Sequence, residues 1–85
     1  MYNELAIDKE IEVVKTIREL QKYVFTSINS MMECIEENTK EYSNFSGYMM
    51  GNNYDEIVIM WENMTANMLF KREDEHTYKI IFAYL

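Results

Sequence analysis

The sequence contains no proline, two glycines and one cysteine in 85 residues. A single cysteine, Cys34, excludes an internal disulfide bond. No apolar run approaches the roughly 18 residues that a transmembrane helix needs, and the N-terminus lacks the pattern of a signal peptide. These features predict a protein of the reducing cytoplasm, or of the host cytoplasm if a phage encodes it.

Signatures of catalysis and metal binding are also missing. The chain has no glycine-rich phosphate loop and no nucleophile elbow. His76 and Cys34 are single and far apart in sequence, which does not suit a zinc site. Cys34 stands among glutamates, whose negative charge raises a thiol pKa and suppresses the reactive thiolate. We therefore predict that the protein is not an enzyme and uses neither a cofactor nor a metal ion.

Residues 7–35 contain neither glycine nor proline, and their apolar side chains recur at helical spacing. Four of the seven columns of a heptad plot are largely apolar, which is wider than a coiled-coil seam and favours a helix lying on a sheet. We predict one helix over about residues 8–40, with Asp8 as its N-cap. Such a helix is about 45 Å long, more than a small sheet can cover. The polar run at residues 26–30 leaves a break into two helices open.

After residue 44 the apolar pattern changes from helical to alternating, which is typical of strands. Gly51, Asn52 and Asn53 predict a turn, and the short connections between later strands predict an antiparallel meander. Residues 1–85 are therefore predicted to be one α+β domain, with one long N-terminal helix packed on a three- to four-stranded antiparallel meander sheet. The predicted strands cover about residues 45–50 (weak), 56–62, 65–71 and 77–85.

Both faces of the predicted sheet are apolar. The face under the helix is predicted to carry Ile57, Ile59, Trp61, Ala66, Met68, Phe70, Ile80 and Phe82. The opposite face is predicted to carry Val58, Met60, Leu69, Ile81 and Leu85. The second set is too apolar for free contact with water, so a second copy or another protein is expected to cover it.

The net charge of −7 is concentrated in the middle of the chain. Residues 23–70 carry seven acids against one base, Lys40. This balance argues against direct binding to nucleic acid or to an anionic membrane, which both need a positive surface. It favours encounter with a basic protein. The predicted partner-binding carboxylates are Glu33, Glu36, Glu37, Glu41, Asp55, Glu56 and Glu62.

Two functions fit these observations. The first is a small acidic protein-binding module that occludes a basic, nucleic-acid-binding surface of a host protein, with carboxylates in the place of phosphates. In size and acid balance the chain resembles the small inhibitors of phages and mobile elements, including anti-CRISPR proteins, although no sequence motif carries this likeness. The second is a homo-oligomeric structural or regulatory subunit, in the simplest case a homodimer, whose acidic face is only solvated.

Overall fold

A computed structural model of the chain describes residues 4–51 and 55–85. The strands form one antiparallel sheet in the order β1-β2-β3-β4, so the predicted α+β class and the antiparallel meander are confirmed. Of the predicted turn, Asn52 and Asn53 lie outside the described residues. In chain order the elements are α1 (Glu4–Glu19), a 3-10 turn (Leu20–Lys22), α2 (Ile28–Thr39), β1 (Phe45–Met50), β2 (Glu56–Trp61), β3 (Thr65–Asp74) and β4 (Thr77–Tyr84).

The helix predicted over residues 8–40 is two helices in the structure. The first begins at Glu4, so Asp8 lies inside α1 and does not cap it. Between the helices, Phe25 forms a β-bridge with Tyr78, and each backbone N–H donates to the other residue's carbonyl at 2.8 Å. Both helices lie on the same sheet, α1 against β3 and β4 and α2 over β1 and β2. The division into two helices removes the mismatch between a long helix and a short sheet.

Ser27 starts the second helix through a capping box. The Ser30 N–H donates to the Ser27 hydroxyl at 3.0 Å, and the Ser27 N–H donates to the Ser30 hydroxyl at 3.2 Å. Both bonds satisfy backbone donors that a helix start leaves without partners. The polar run at residues 26–30 is therefore the signal that begins α2, which is the alternative that the sequence left open.

Replacing Ser27 with alanine is expected to lower the free energy of unfolding by about 1 kcal/mol, because the first turn of α2 loses its cap. Urea denaturation followed by circular dichroism measures this change. Thr26→Ala is the matched control, since the exposed Thr26 hydroxyl only approaches the Ser30 hydroxyl at 3.5 Å. Equal losses in the two variants would contradict the capping assignment.

The core lies between the two helices and one face of the sheet. The first helix packs mainly against β4 and β3. The second helix lies over β1 and β2, where the Tyr48 hydroxyl donates to the Asn29 side chain at 3.2 Å and the Trp61 indole N–H donates to the Thr39 hydroxyl at 3.0 Å. The side chains with no measurable exposure are those of Val13, Ile17, Met31, Ile35, Thr39, Ile57, Ile59, Met68 and Ala83.

The residues predicted to lie on the inner face of the sheet are buried, with the exception of Phe82. Leu69 pairs with Phe82 and Phe70 pairs with Ile80, so Ile81 is an extra residue in β4. This bulge inverts the alternation of the last part of the strand. Ala83 is consequently buried opposite Met68, while Phe82 is 42% exposed. On the outer face Val58, Met60 and Leu69 are half-buried and Ile81 is exposed. The predicted outer position of Leu85 is wrong for the same reason as the inner position of Phe82, since Leu85 follows the buried Ala83 by two residues and lies beside Ile11 and Val14 of α1.

The third and fourth strands are paired further than predicted. Arg72 pairs with Tyr78 and Asp74 with Thr77, so the segment predicted as a charged loop is largely strand. Lys71 stands directly opposite Lys79, which is an unfavourable arrangement of like charges. A salt bridge of 3.6 Å between Lys79 and Glu73 offsets part of this repulsion.

Candidate protein-binding surface

Four of the predicted carboxylates lie on α2 and on the turn that follows it. Glu33, Glu37 and Glu41 are four residues apart and therefore share one side of the helical path. Glu36 lies beside them, and all four residues are exposed. The opposite side of the helix is apolar, and its side chains of Met31, Met32 and Ile35 are buried in the core. The amphipathic spacing that anchors α2 in the core thus holds these four carboxylates, here called the α2 acidic surface, in water.

The other three predicted carboxylates are divided between the two ends of β2. The backbone N–H of Glu62 donates to the Asn44 carbonyl at 2.8 Å, and the Asn44 amide donates to the Glu62 carboxylate at 3.0 Å. These bonds place Glu62 at the end of the molecule where α2 terminates. Glu56 begins the strand and Asp55 directly precedes it. The five intervals from Glu56 to Trp61 span about 17 Å at 3.4 Å each. The seven acids therefore do not form one patch.

Glu56 also has a role inside the fold. Its side chain is half-buried, and its carboxylate accepts a hydrogen bond of 3.3 Å from the Tyr84 hydroxyl. Loss of solvation, and then the neighbouring Glu56 carboxylate, raise the pKa of the Tyr84 hydroxyl. Because Glu56 links β2 to β4 across the outer face, it is a weaker candidate for contact with a partner than the α2 carboxylates.

The α2 acidic surface has little compensating positive charge. Among the described residues its one salt bridge joins Lys40 to Glu37 at 2.9 Å, and both side chains are exposed. The last turn of the helix contains no basic residue. Carboxylates near this negative end of the helix dipole each cost about 0.3–1 kcal/mol of stability. Glu36, Glu37 and Glu41 therefore lie where the helix dipole disfavours negative charge.

Cys34 and His76 lie in different parts of the fold, in α2 and in the turn between β3 and β4. Partial burial raises the pKa of the Cys34 thiol, against an opposing hydrogen bond from Asn38. The direction of this pKa shift agrees with the prediction, but its cause is burial of the thiol and not the charge of the neighbouring glutamates. His76 lies in the exposed β3–β4 turn, where its backbone N–H donates to Asp74 at 2.8 Å and lowers the pKa of that carboxyl. In residues 4–51 and 55–85, no group of three or more potential metal-ligating side chains comes together.

Sequence reasoning missed a shallow groove between α1 and the end of β4. Its volume is about 270 Å³. It forms because α1 packs beside the end of β4, and no local pattern in the sequence encodes that proximity. Two of its side chains, Lys15 and Arg18, are cationic, but the Arg18 guanidinium is already engaged with the Ala83 carbonyl and the Phe82 ring. The lining residues are Ile11, Val14, Lys15, Arg18, Tyr84 and Leu85.

Within the described ranges, no helix is both long enough and apolar enough to cross a membrane. No protein-family model, no curated protein and no solved structure matches the chain.

Proposed function

We propose that the protein is a small acidic protein-binding module that presents its α2 acidic surface to a basic surface of another protein. The observation that carries this proposal is the row of exposed carboxylates of Glu33, Glu36, Glu37 and Glu41, which has Lys40 as its one salt-bridge partner in the described part of the chain. Side chains at this spacing on one helix face can each meet a different arginine or lysine. Charge-assisted hydrogen bonds of this kind are about twice as strong as neutral ones.

The proposed mechanism is occlusion of a surface that otherwise binds nucleic acid. Successive carboxylates four residues apart on α2 are separated by about 6 Å along the helix axis. A protein groove lined with arginine and lysine to hold phosphates would accept such a row of negative charges in their place. The module would then act as a competitive inhibitor, in the manner of the small phage-encoded inhibitors of host proteins.

A second candidate function is a homo-oligomeric subunit in which the carboxylates only keep the surface solvated. The observation that favours it is the apolar outer face of the sheet, where Phe82 is 42% and Met49 is 55% exposed. Exposed apolar groups of this kind are typical of interfaces. The two functions are compatible, since one protein can dimerise through its sheet and bind a basic protein through α2.

The proposal is tested by neutralising the acidic surface. The variant with Glu33, Glu36, Glu37 and Glu41 replaced by glutamine is expected to lose the basic proteins that the native chain retains from a lysate of the source organism at low salt. The native complex should weaken steeply with salt, because the contacts are ionic. Addition of DNA should compete with the native chain for the retained protein. Mass spectrometry of the retained fraction is the measurement.

The control variant carries the same loss of charge at another place. It replaces four exposed acids on α1 and the β3–β4 hairpin, so that both variants remove four negative charges from the net −7. Retention by the control and loss by the α2 variant support the proposal, whereas equal retention by both contradicts it. The four control positions are Glu12, Glu19, Glu73 and Glu75.

The α2 variant is also expected to be more stable than the native chain, by about 1–2 kcal/mol at low salt. Removing carboxylates near the negative end of the helix relieves an unfavourable interaction with its dipole, and removes like-charge repulsion between residues four apart. The lost Lys40–Glu37 salt bridge is exposed and contributes little. A rise in the urea midpoint would show that loss of binding does not come from unfolding.

A further inference from the structure

The two edges of the sheet differ in how the chain protects them. Along β4, the Arg18 side chain donates to the Ala83 carbonyl at 3.0 Å, and Gln21 donates to the Ile81 carbonyl. Phe25 pairs with Tyr78 further along the same edge. These contacts satisfy backbone groups that an edge strand otherwise leaves open to pairing with another chain. The other edge of the sheet is β1.

The alternation of the β1–β2 ladder identifies which backbone groups of β1 point away from the sheet. The Gly51 N–H donates to the Glu56 carbonyl at 2.7 Å, and Met49 pairs with Val58 in the same register. Antiparallel pairs alternate between bonded and non-bonded positions. The N–H and C=O groups of Tyr48 and Met50 therefore face outward. Within residues 4–51 and 55–85, these outward groups receive no backbone hydrogen bond from another segment.

The first strand also lacks the devices that protect an open edge. The segment Phe45–Met50 contains no lysine, no proline and no charged residue of any kind. A bulge between Phe45 and Gly47 disturbs only its beginning. In the regular part that follows, Met49 is 55% and Met50 is 45% exposed. An uncharged edge strand of this kind is a template for pairing with a further strand.

We propose that β1 pairs with β1 of a second copy of the chain, antiparallel and about a two-fold axis at Met49. Each Tyr48 would then exchange both backbone hydrogen bonds with the Met50 of the other copy. The two sheets would join into one sheet of eight strands. The proposal does not depend on the function proposed for α2.

The order of side chains on the outer face of β1 favours a second copy over an unrelated strand. Gly47, Met49 and Gly51 follow one another on this face, and they include both glycines of the chain. In the two-fold register Met49 faces its own symmetry mate as a non-bonded pair, in which side chains approach most closely. The diagonal neighbours of each Met49 in the other copy are Gly47 and Gly51, which carry no side chains. The space over Gly47 is open, whereas the Glu56 side chain lies against Gly51, so each Met49 has room to pack beside Gly47. A strand with this pattern is complementary to itself.

Charge opposes the association of two copies of a chain with a net charge of −7, although β1 itself contains no charged residue. The α2 acidic surface lies near this edge, because α2 covers the part of the sheet that contains β1. Pairing would bring the two α2 acidic surfaces to either side of the junction, where their repulsion opposes association. Salt screens that repulsion. Self-association is therefore expected to strengthen with salt, whereas binding of a basic protein to α2 weakens.

Sedimentation equilibrium of the full chain over a range of protein and salt concentrations tests the dimer. The native chain is expected to be dimeric at high concentration, and more so in high salt. Met49→Lys is expected to raise the dissociation constant at least about tenfold, because it places like charges opposite each other and removes apolar burial from both copies. Val24→Lys is the matched control, since Val24 is 57% exposed, lies away from β1 and undergoes the same change of charge. A native chain that stays monomeric at high salt overturns the proposal, as do equal effects of the two lysines.

Disulfide cross-linking tests the register of the two β1 strands. Each cysteine variant is made in a background in which Cys34 is replaced by serine. Met49→Cys is expected to form a disulfide dimer on mild oxidation, because residues at a non-bonded pair are about 4.5 Å apart between Cα atoms. Met50→Cys is the control. Its two copies would be separated by about 8 Å, from the strand spacing and rise, which exceeds the reach of a disulfide. Cross-linking of Met50→Cys alone, or of neither variant, overturns the proposed two-fold axis.

Discussion

Replacing Ile17 with alanine is expected to lower the free energy of unfolding by about 3 kcal/mol. Ile17 is 0% exposed and lies on the side of α1 that packs against the sheet. The substitution removes apolar atoms from the core and leaves a cavity that β3 and β4 cannot fill without moving. Total stabilities of small domains are about 5–15 kcal/mol, so the loss is a large part of what is available. Urea denaturation followed by circular dichroism gives the change.

Ile11→Ala is the control for this prediction. Ile11 is 44% exposed on the same helix, and the change in helix propensity is the same for both substitutions. Its expected cost is below about 1 kcal/mol, because little apolar surface is returned to water. Similar losses in the two variants would show that α1 does not pack on the sheet through Ile17. A smaller loss in Ile11→Ala supports the packing described here.

The helical spacing of apolar residues identified which side chains of the helices face the core. Val14 and Ile35 lie in one column of the heptad plot, and both are buried, although they belong to different helices. The periodic pattern continues across the break, because both helices pack on the same sheet. A periodic pattern alone therefore cannot show where one helix ends. The local chemistry of Ser27 and Ser30 decides it through the capping box.

The inward face of the sheet was predictable where the alternation is regular. The prediction fails at Phe82, because one extra residue in β4 exchanges the two faces. Single-sequence patterns contain no signal for a bulge in the apolar run from Ile80 to Ala83. The structure gives Phe82 a neighbour that the sequence did not suggest, since the Arg18 guanidinium lies 4.3 Å from the centre of its ring.

The candidate surface was predictable only in part. The spacing of Glu33, Glu37 and Glu41 placed them on one helix face, because residues four apart on a helix are neighbours. The position of Asp55 relative to α2 depends on the direction of β2, which the sequence does not state. The net charge of a chain segment therefore overestimates how many of its acids share one surface. The predicted meander placed β1 at one edge of the sheet, but the sequence did not show that Arg18, Gln21 and Phe25 cover the opposite edge at β4.

Thr39 is the one polar residue that is fully buried in the described core. Its hydroxyl donates to the Ile35 carbonyl at 2.7 Å and accepts from the Trp61 indole N–H at 3.0 Å. The end of α2 at Thr39 lies within one residue of the predicted end of the helix. Its pairing with Trp61 was not foreseen, because it joins residues that are 22 positions apart. This bond fixes the end of α2 to the end of β2.

Replacing Thr39 with valine is expected to lower the free energy of unfolding by about 1–3 kcal/mol, although the two side chains have nearly the same shape. The loss arises because the buried indole N–H of Trp61 keeps no acceptor, and an unsatisfied buried donor carries its full desolvation cost. Trp61→Phe removes that donor, so valine at position 39 is expected to cost much less in the Trp61→Phe background than in the native chain. A double-mutant cycle measured by urea denaturation and far-ultraviolet circular dichroism gives this coupling. If the costs of the two substitutions simply add, then the Thr39–Trp61 hydrogen bond does not hold α2 to the sheet.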